Sequence, residues 1–395
     1  MGESATPLLY PRPMQLRLLL ALLFAATAAR AQFDIEESHT TASLRGIHNV
    51  GAGVAWASGT NGTVLRTEDG GYLWQNCTIP PGAEKLDFRG IQAFDANTAI
   101  VMSSGPGDQS RLYKTTDGCQ SWKLLFTNPD KDGFWDAIQF TDASRFPRDK
   151  DFGMLLGDPV DGHFAIFLTF DRGEHWERQL KQAPAAGQGE AIFAASNSSL
   201  VINRLADRAF VTGGNQGARL INFTVYDDDT VHDDDRDAKV LPGAREFYFF
   251  GKRRWGNVAL PMGHSVSSGA FSIATRPFGT PEEIGEQVVI VGGDYQQPNI
   301  GHNTAAYISY GKLAAAQAPP HGYRSSVAYD PTQKLWITVG PNGTDISRDD
   351  GKNWTPLKPS TQDPPDADKN WNALSLPYVV GAHGRIGKLR PITQK

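Results

Sequence analysis

The sequence predicts an all-β chain assembled from short four-stranded units, on three observations. Glycine and aromatic residues are abundant, with 41 Gly, 20 Phe and 9 Trp in 395 residues, which suits short strands joined by tight turns. One eight-residue stretch, Thr67-Glu68-Asp69-Gly70-Gly71-Tyr72-Leu73-Trp74, returns in altered form at 115–122, 169–176 and 347–354. Each copy follows an apolar run of strand length.

The copies share a hydroxyl residue, an Asp two places on, usually a Gly two further, and a Trp three after that. The aspartates are Asp69, Asp117, Asp171 and Asp349, and the tryptophans are Trp74, Trp122, Trp176 and Trp354. An Asp side chain accepts hydrogen bonds from backbone N–H groups just ahead of it, and Gly supplies the positive φ that such a corner needs. The Trp then opens the next strand and buries its large face. The second copy carries Cys119 where Gly is expected, which predicts a slightly reshaped corner.

This pattern resembles the Asp-box, or BNR, repeat. The resemblance implies a β-propeller in which the corner joins the third and fourth strands of a blade. Asp69, Asp117 and Asp171 recur at roughly the 40–50-residue interval of one blade. The longer interval from Asp171 to Asp349 leaves room for two blades without the motif and an insertion around 226–256.

In chain order, the first unit reads as strands at 44–47, 53–57, 64–66 and 74 onward, and the second as 88–91, 98–102, 111–114 and 122–126. The third opens at Trp135. The blades lacking the motif open at 189–192, with a second strand at 209–214, and at 268–271, with a second strand at 287–293. A sixth opens at Tyr323. The tail supplies three strands, at 371–374, 378–381 and 385–389, and the strand Phe33–Glu36 completes them. The expectation is a seven-bladed β-propeller of four-stranded blades, its ring closed by pairing the N-terminal strand with the C-terminal blade.

The N-terminus reads as a secretory signal. Arg12 and Arg17 precede the apolar run 18–24, and Ala29-Arg30-Ala31 offers small residues for cleavage before Gln32. The expected organisation is a signal peptide at 1–31 and one propeller domain at 32–395, secreted or periplasmic. No other run is long and apolar enough to span a bilayer. In such a compartment Cys77 and Cys119 either pair as a disulfide or remain separate half-buried thiols. The acidic run around His232, Asp227 to Asp235, is either a solvated loop or a Ca²⁺ loop of no named spacing.

In the propellers this chain resembles, the loops entering the first strand and those joining strands two and three surround one mouth of the central channel. Lining up the first strands places Arg45, Arg89, Asp136, Glu190, Gly269, Ser325 and Asn372 in one ring. The second-to-third-strand loops add Asp108, Asp158, His163, Asn215, Asp294, Tyr295, His302 and His383, and Arg324 stands beside the ring. Asp136 and Glu190 form a candidate catalytic pair, since two carboxylates in a pocket allow acid and base work. Arginines would hold an anionic group in two-pronged fashion. The same charges equally describe a binding pocket, or a buried ionic lattice that stabilises the channel. His48 and His264 read as core residues or channel residues.

The chain has a formal net charge of −5, which argues against nucleic acid. It has neither zinc-ligand spacing nor a Gly-rich nucleotide loop, so no cofactor is expected. Asp-box propellers include sialidase-type hydrolases, sortilin-like receptors and photosystem II assembly factors. Arg45 is followed by Gly46 and Ile47, departing from the Arg-Ile-Pro of sialidases, so no sialidase roles carry over. Leu44-Arg45-Gly46-Ile47 and Phe88-Arg89-Gly90-Ile91 look more like the assembly-factor type. The expectation is a monomeric propeller whose axial pocket takes a small molecule or glycan, with glycoside hydrolysis as a corollary. The alternative is a non-catalytic scaffold that binds another protein.

Overall fold

A computed structural model describes residues 32–142, 147–180, 183–204, 207–226, 252–279 and 284–392, together with Gly2. The expected signal peptide and the acidic run Asp227 to Asp235 lie outside these residues. So does most of the expected insertion. Among the described residues, no helix is long and apolar enough to cross a membrane.

Seven antiparallel blades form a ring, a seven-bladed β-propeller. Blade 1 runs Leu44–Gly51, Val54–Gly59, Val64–Thr67 and Gln75–Asn76 from hub to rim. Blades 2, 3 and 6 repeat this order from Phe88–Ala93, Trp135–Phe140 and Ser326–Asp330. Blade 7 takes three strands from the C-terminus, and Phe33–Glu36 pairs antiparallel with its strand Ile386–Leu389. The two ends of the chain therefore share one sheet, and the ring is closed.

Closure also explains where the core lies. Among the described residues, the buried apolar side chains form seven clusters, one between each pair of neighbouring blades. Trp56, Phe88 and Tyr113 join blades 1 and 2, and Trp74 meets Tyr378 edge-on, at 5.7 Å between ring centroids, to join blades 1 and 7. Each sheet is apolar on both faces because each face meets another blade.

The four repeated corners are built alike. In the first, Thr67 Oγ1 donates to Asp69 Oδ1 at 2.9 Å, Gly71 N–H donates to Thr67 Oγ1 at 3.0 Å, and Leu73 N–H donates to Asp69 Oδ1 at 3.0 Å. The corner at Asp117 keeps all three bonds, with Cys119 donating its N–H in the place of Gly71. Cys119 takes φ +65° there, against +96° for Gly71. The bonding is thus unchanged by the side chain, whose sulfur is joined to Cys77 with the Cα atoms 5.3 Å apart. This disulfide ties the rim of blade 1 to the corner of blade 2.

Blades 4 and 5 depart from the regular plan. Blade 4 is expected to open at 189–192, and Glu190–Ala191 does pair with Gly213–Gly214. The ladder then stops and resumes only at Leu200–Arg204, which pairs with Asp207–Val211. Gly213 also pairs with Gly269 of blade 5, so the two blades touch at the hub. Contact this close needs bare backbone: a Cβ on Gly213 would lie 2.7 Å from Gly269 Cα.

The corners carry a stability prediction. Asp349→Ala removes the acceptor for Asn353 N–H and the Ser347 hydroxyl, and is expected to lower unfolding free energy by about 1–2 kcal/mol. Urea denaturation of the two proteins measures it; an unchanged midpoint would mean the corner forms without the carboxylate.

Candidate functional site

One device places side chains on the axis. In blades 1, 2 and 3 the innermost strand carries one extra residue relative to its partner, a β-bulge, between Leu44 and Gly46, Phe88 and Gly90, and Trp135 and Ala137. The extra residues are Arg45, Arg89 and Asp136, and all three line an axial cavity of about 540 Å³. A bulged residue leaves the ladder and is aimed elsewhere, here toward the hub. Blade 5 has the same irregularity between Ala270 and Ser272. Its axial residue is therefore Phe271, and Gly269 is used for the contact between blades instead.

In blade 4 the equivalent position has grown into the eight-residue excursion 192–199, which crosses the channel. Asn197 Oδ1 accepts from Ile138 N–H at 2.8 Å, and Asn197 Nδ2 donates to Ile138 O at 3.0 Å. Ser196 Oγ donates to Ser325 O at 2.6 Å, and Ser198 Oγ lies 2.7 Å from Ser272 Oγ. Ile273 N–H donates to Ser198 O at 2.8 Å. The excursion thus supplies partners to innermost strands of blades 3, 5 and 6, whose channel-facing edges have no further strand to pair with. Its first residues, Ile192 to Ala195, line the cavity.

The charges in this cavity are organised around Asp87, which sequence reasoning missed. Asp87 Oδ2 accepts from Arg89 Nε at 2.8 Å, and Arg45 Nε lies 3.2 Å from Asp87 Oδ1. Arg89 Nη1 also donates to Ala194 O at 3.2 Å. Burial, only partly offset by Asp87, lowers the pKa of Arg45. Asp136 is 1% exposed, and neither of its oxygens has a hydrogen-bond partner. Burial first, and then the nearby Asp158, push its carboxyl well above the usual range against the pull of Arg89. Asp158 sits at the matching bulge of the next strand of blade 3. Burial raises it to about 6, although Asp158 Oδ1 accepts from Ile192 N–H at 2.8 Å.

Aromatic rings complete the wall. Phe193 stacks on Phe271 at 4.0 Å between ring centroids, and Tyr323 meets Phe271 edge-on at 4.7 Å. Phe134 also lines the cavity, and Tyr295 lies at its rim, 47% exposed. Phe271 and Tyr323 were legible as strand residues. Their arrival at the axis depends on bulge positions and on the fold of blade 5.

The other candidate residues go elsewhere. Glu190 is 8% exposed and held by Arg219 Nε at 2.8 Å, by Arg219 Nη2, by Thr212 Oγ1 at 2.5 Å and by Gly187 N–H at 2.7 Å. Burial alone would raise its pKa, but these bonds outweigh it and hold the carboxyl low. Glu190 is not among the cavity residues, so Asp136 and Glu190 do not share the pocket. Arg324 is fully buried and bonded to Asp345 Oδ2 at 2.7 Å. Asn372 Nδ2 donates to Leu44 O at 2.7 Å. Asp294 and His302 line a separate cavity of about 330 Å³ with His264, and there Ser267 Oγ donates to Asp294 Oδ1 at 2.7 Å. His383 lines an open groove of about 1120 Å³ beside blade 7. Asp108 and His163 are exposed and bond locally, Asp108 with Arg111 and His163 with Asp161 O. Asn215 is exposed. His48 is half-buried in the strand Leu44–Gly51, and its loss of hydration lowers its pKa to about 4.

Two outcomes follow from this geometry. Glu190→Gln is expected to lower stability by about 1–3 kcal/mol, a range discounted because Arg219 is a quarter exposed. Chemical denaturation tests it, and an unaffected midpoint would mean the pair is not structural. The native state also retains protons on Asp136 and Asp158 that the unfolded chain releases, so these groups favour folding at low pH and oppose it as pH rises. For Asp158 that loss falls between 3.8 and about 6, and it amounts to ~2–3 kcal/mol. Asp158→Asn is expected to flatten thermal stability over this window relative to the wild type; parallel curves would refute it.

No family model matches this sequence, and no curated protein sequence matches it. Solved structures share its fold. YCF48 bound to a D1 peptide superposes with a TM-score of 0.55 at 15% identity, covering 91% of this chain and 96% of that one. YCF48 from Cyanidioschyzon merolae gives 0.55 at 16% identity, with coverage of 91% and 99%. The GH74 xyloglucanase from Xanthomonas campestris gives 0.54 at 14% identity, with 93% of this chain matched to 55% of that one. At these identities the likeness is one of fold: this chain is a seven-bladed β-propeller with an axial pocket lined in part by its own fourth blade.

Proposed function

We propose that this protein is an exported, monomeric, non-catalytic binding propeller that holds a segment of another protein in its axial pocket. The observation that carries this reading is the make-up of the pocket. Two arginines bridged by Asp87, two carboxylates and several rings converge from distant parts of the chain, which suits a peptide's mixed polar and apolar surface. The structural likeness to YCF48, solved with a D1 peptide, is consistent with it.

Hydrolysis finds less support. Glu190 is engaged by Arg219, and the two carboxylates that do line the pocket, Asp136 and Asp158, both come from blade 3. Acid and base, or acid and nucleophile, must flank a glycosidic bond from two sides. A glycan ligand without hydrolysis is the second reading, favoured by the exposed ring of Tyr295 at the rim, on which a sugar could stack.

Selection from a displayed peptide library on the purified mature protein, alongside a glycan array, separates these readings. Peptides are expected to be enriched, and Tyr295→Ala is expected to weaken them about tenfold or more with the fold intact by circular dichroism. Enrichment of glycans alone, or peptides indifferent to Tyr295→Ala, would overturn the peptide reading.

A further inference from the structure

The feature left unexplained by a purely structural role is Asp136. A carboxylate 1% exposed with no hydrogen-bond partner on either oxygen is costly to ionise, and the residue borders the axial cavity beside the more exposed Asp158. Its nearest cation is already committed, since Arg89 bonds Asp87 and Ala194 O. With every group ionised, Asp87, Asp136 and Asp158 outnumber Arg45 and Arg89 by one negative charge. The ring faces of Phe134, Phe193, Phe271, Tyr295 and Tyr323 add negative quadrupole on the remaining walls.

We infer that the axial pocket is a receptor for an ammonium group, which Asp136 and Asp158 accept while the aromatic rings enclose its alkyl stem. Under the peptide-binding reading on which the biological occupant rests, that group is a lysine side chain or a free amino terminus. The geometry sets the chemistry: a compact cation supplies the hydrogen-bond donors that Asp136 lacks and balances the excess charge. A carboxylate-bearing ligand would add a further negative charge beside Asp136 and Asp158 and would leave Asp136 unpartnered.

Burial raises both carboxyls, so ammonium binding displaces protons and tightens as pH rises. The charged groups that act on Asp136 are Asp158 and Arg89, and Arg45, Tyr295 and Tyr323 line the same cavity.

The test uses two probes, Nα-acetyl-lysine methylamide and its Nε-acetylated counterpart, with the full-length mature protein at pH 8. Saturation-transfer NMR and thermal shift are expected to detect the free amine and not the acetylated form, and binding is expected to weaken at pH 5. Asp136→Asn and Asp158→Asn, each verified as folded, are expected to lose about tenfold or more in affinity. Equal binding of the two probes, binding unchanged in both variants, or no binding of the amine at millimolar concentration would overturn the inference. Peptides enriched by display but indifferent to amine acetylation would sink this inference alone, whereas the absence of any enriched peptide would sink the peptide reading and leave the amine result to stand on its own.

Discussion

The pairing of Phe33–Glu36 with Ile386–Leu389 is the interaction on which the rest depends. Without it, blade 7 would lack its outer strand and present an open edge. The contact of blade 7 with blade 1, where Trp74 meets Tyr378, would lose its register. Because the core is divided into seven clusters between blades, no single cluster supports the molecule. Each depends on the next blade being present, so closure makes a chain of local sandwiches cooperative. Further ties reinforce the same seam. Glu36 accepts from Trp74 Nε1 at 2.7 Å, and Lys388 Nζ donates to Gly70 O at 2.8 Å.

Closing a ring creates a second problem at the hub, where the innermost strands face a channel instead of another strand. This protein answers it twice over. Bulges in blades 1, 2, 3, 5 and 7 take single residues out of the ladder, and blade 4 sends in eight residues at the corresponding place. The serines and asparagine of that excursion mimic a strand partner for several blades at once. The excursion thereby occupies part of the channel and lines the cavity that remains. Gly90 is required by this arrangement, since a Cβ there would lie 2.9 Å from Asn197 Oδ1.

Electrostatically, the hub is a compromise between anchoring and readiness. The charges satisfied within the chain, Glu190 with Arg219 and Arg324 with Asp345, are structural and withdrawn from the pocket. Those left facing the cavity are arranged unevenly: Asp87 holds two arginines, while Asp136 and Asp158 crowd one wall. Like charges in low dielectric raise one another's proton affinity. An uneven balance of this kind is stable when protonated and receptive when a cation arrives.

The amino-acid sequence alone determined the corners, the blade count and the closure. Each corner is made by bonds spanning four residues, as from Thr67 to Gly71 and from Asp69 to Leu73, so its chemistry is written in consecutive letters. Alternating turns and apolar runs likewise disclose strands one at a time, including the leftover strand at Phe33. Only the tertiary structure decided which charged residues meet. Arg45, Arg89, Asp136 and Asp158 were legible as candidates, but Glu190 was drawn away by Arg219, a partner 29 residues on. Phe271 and Tyr323 entered the pocket by bulge register and blade packing, and Asp87 came to hold two of its arginines. Those contacts join residues far apart in the chain, and their geometry is set by ring closure, which no local pattern encodes.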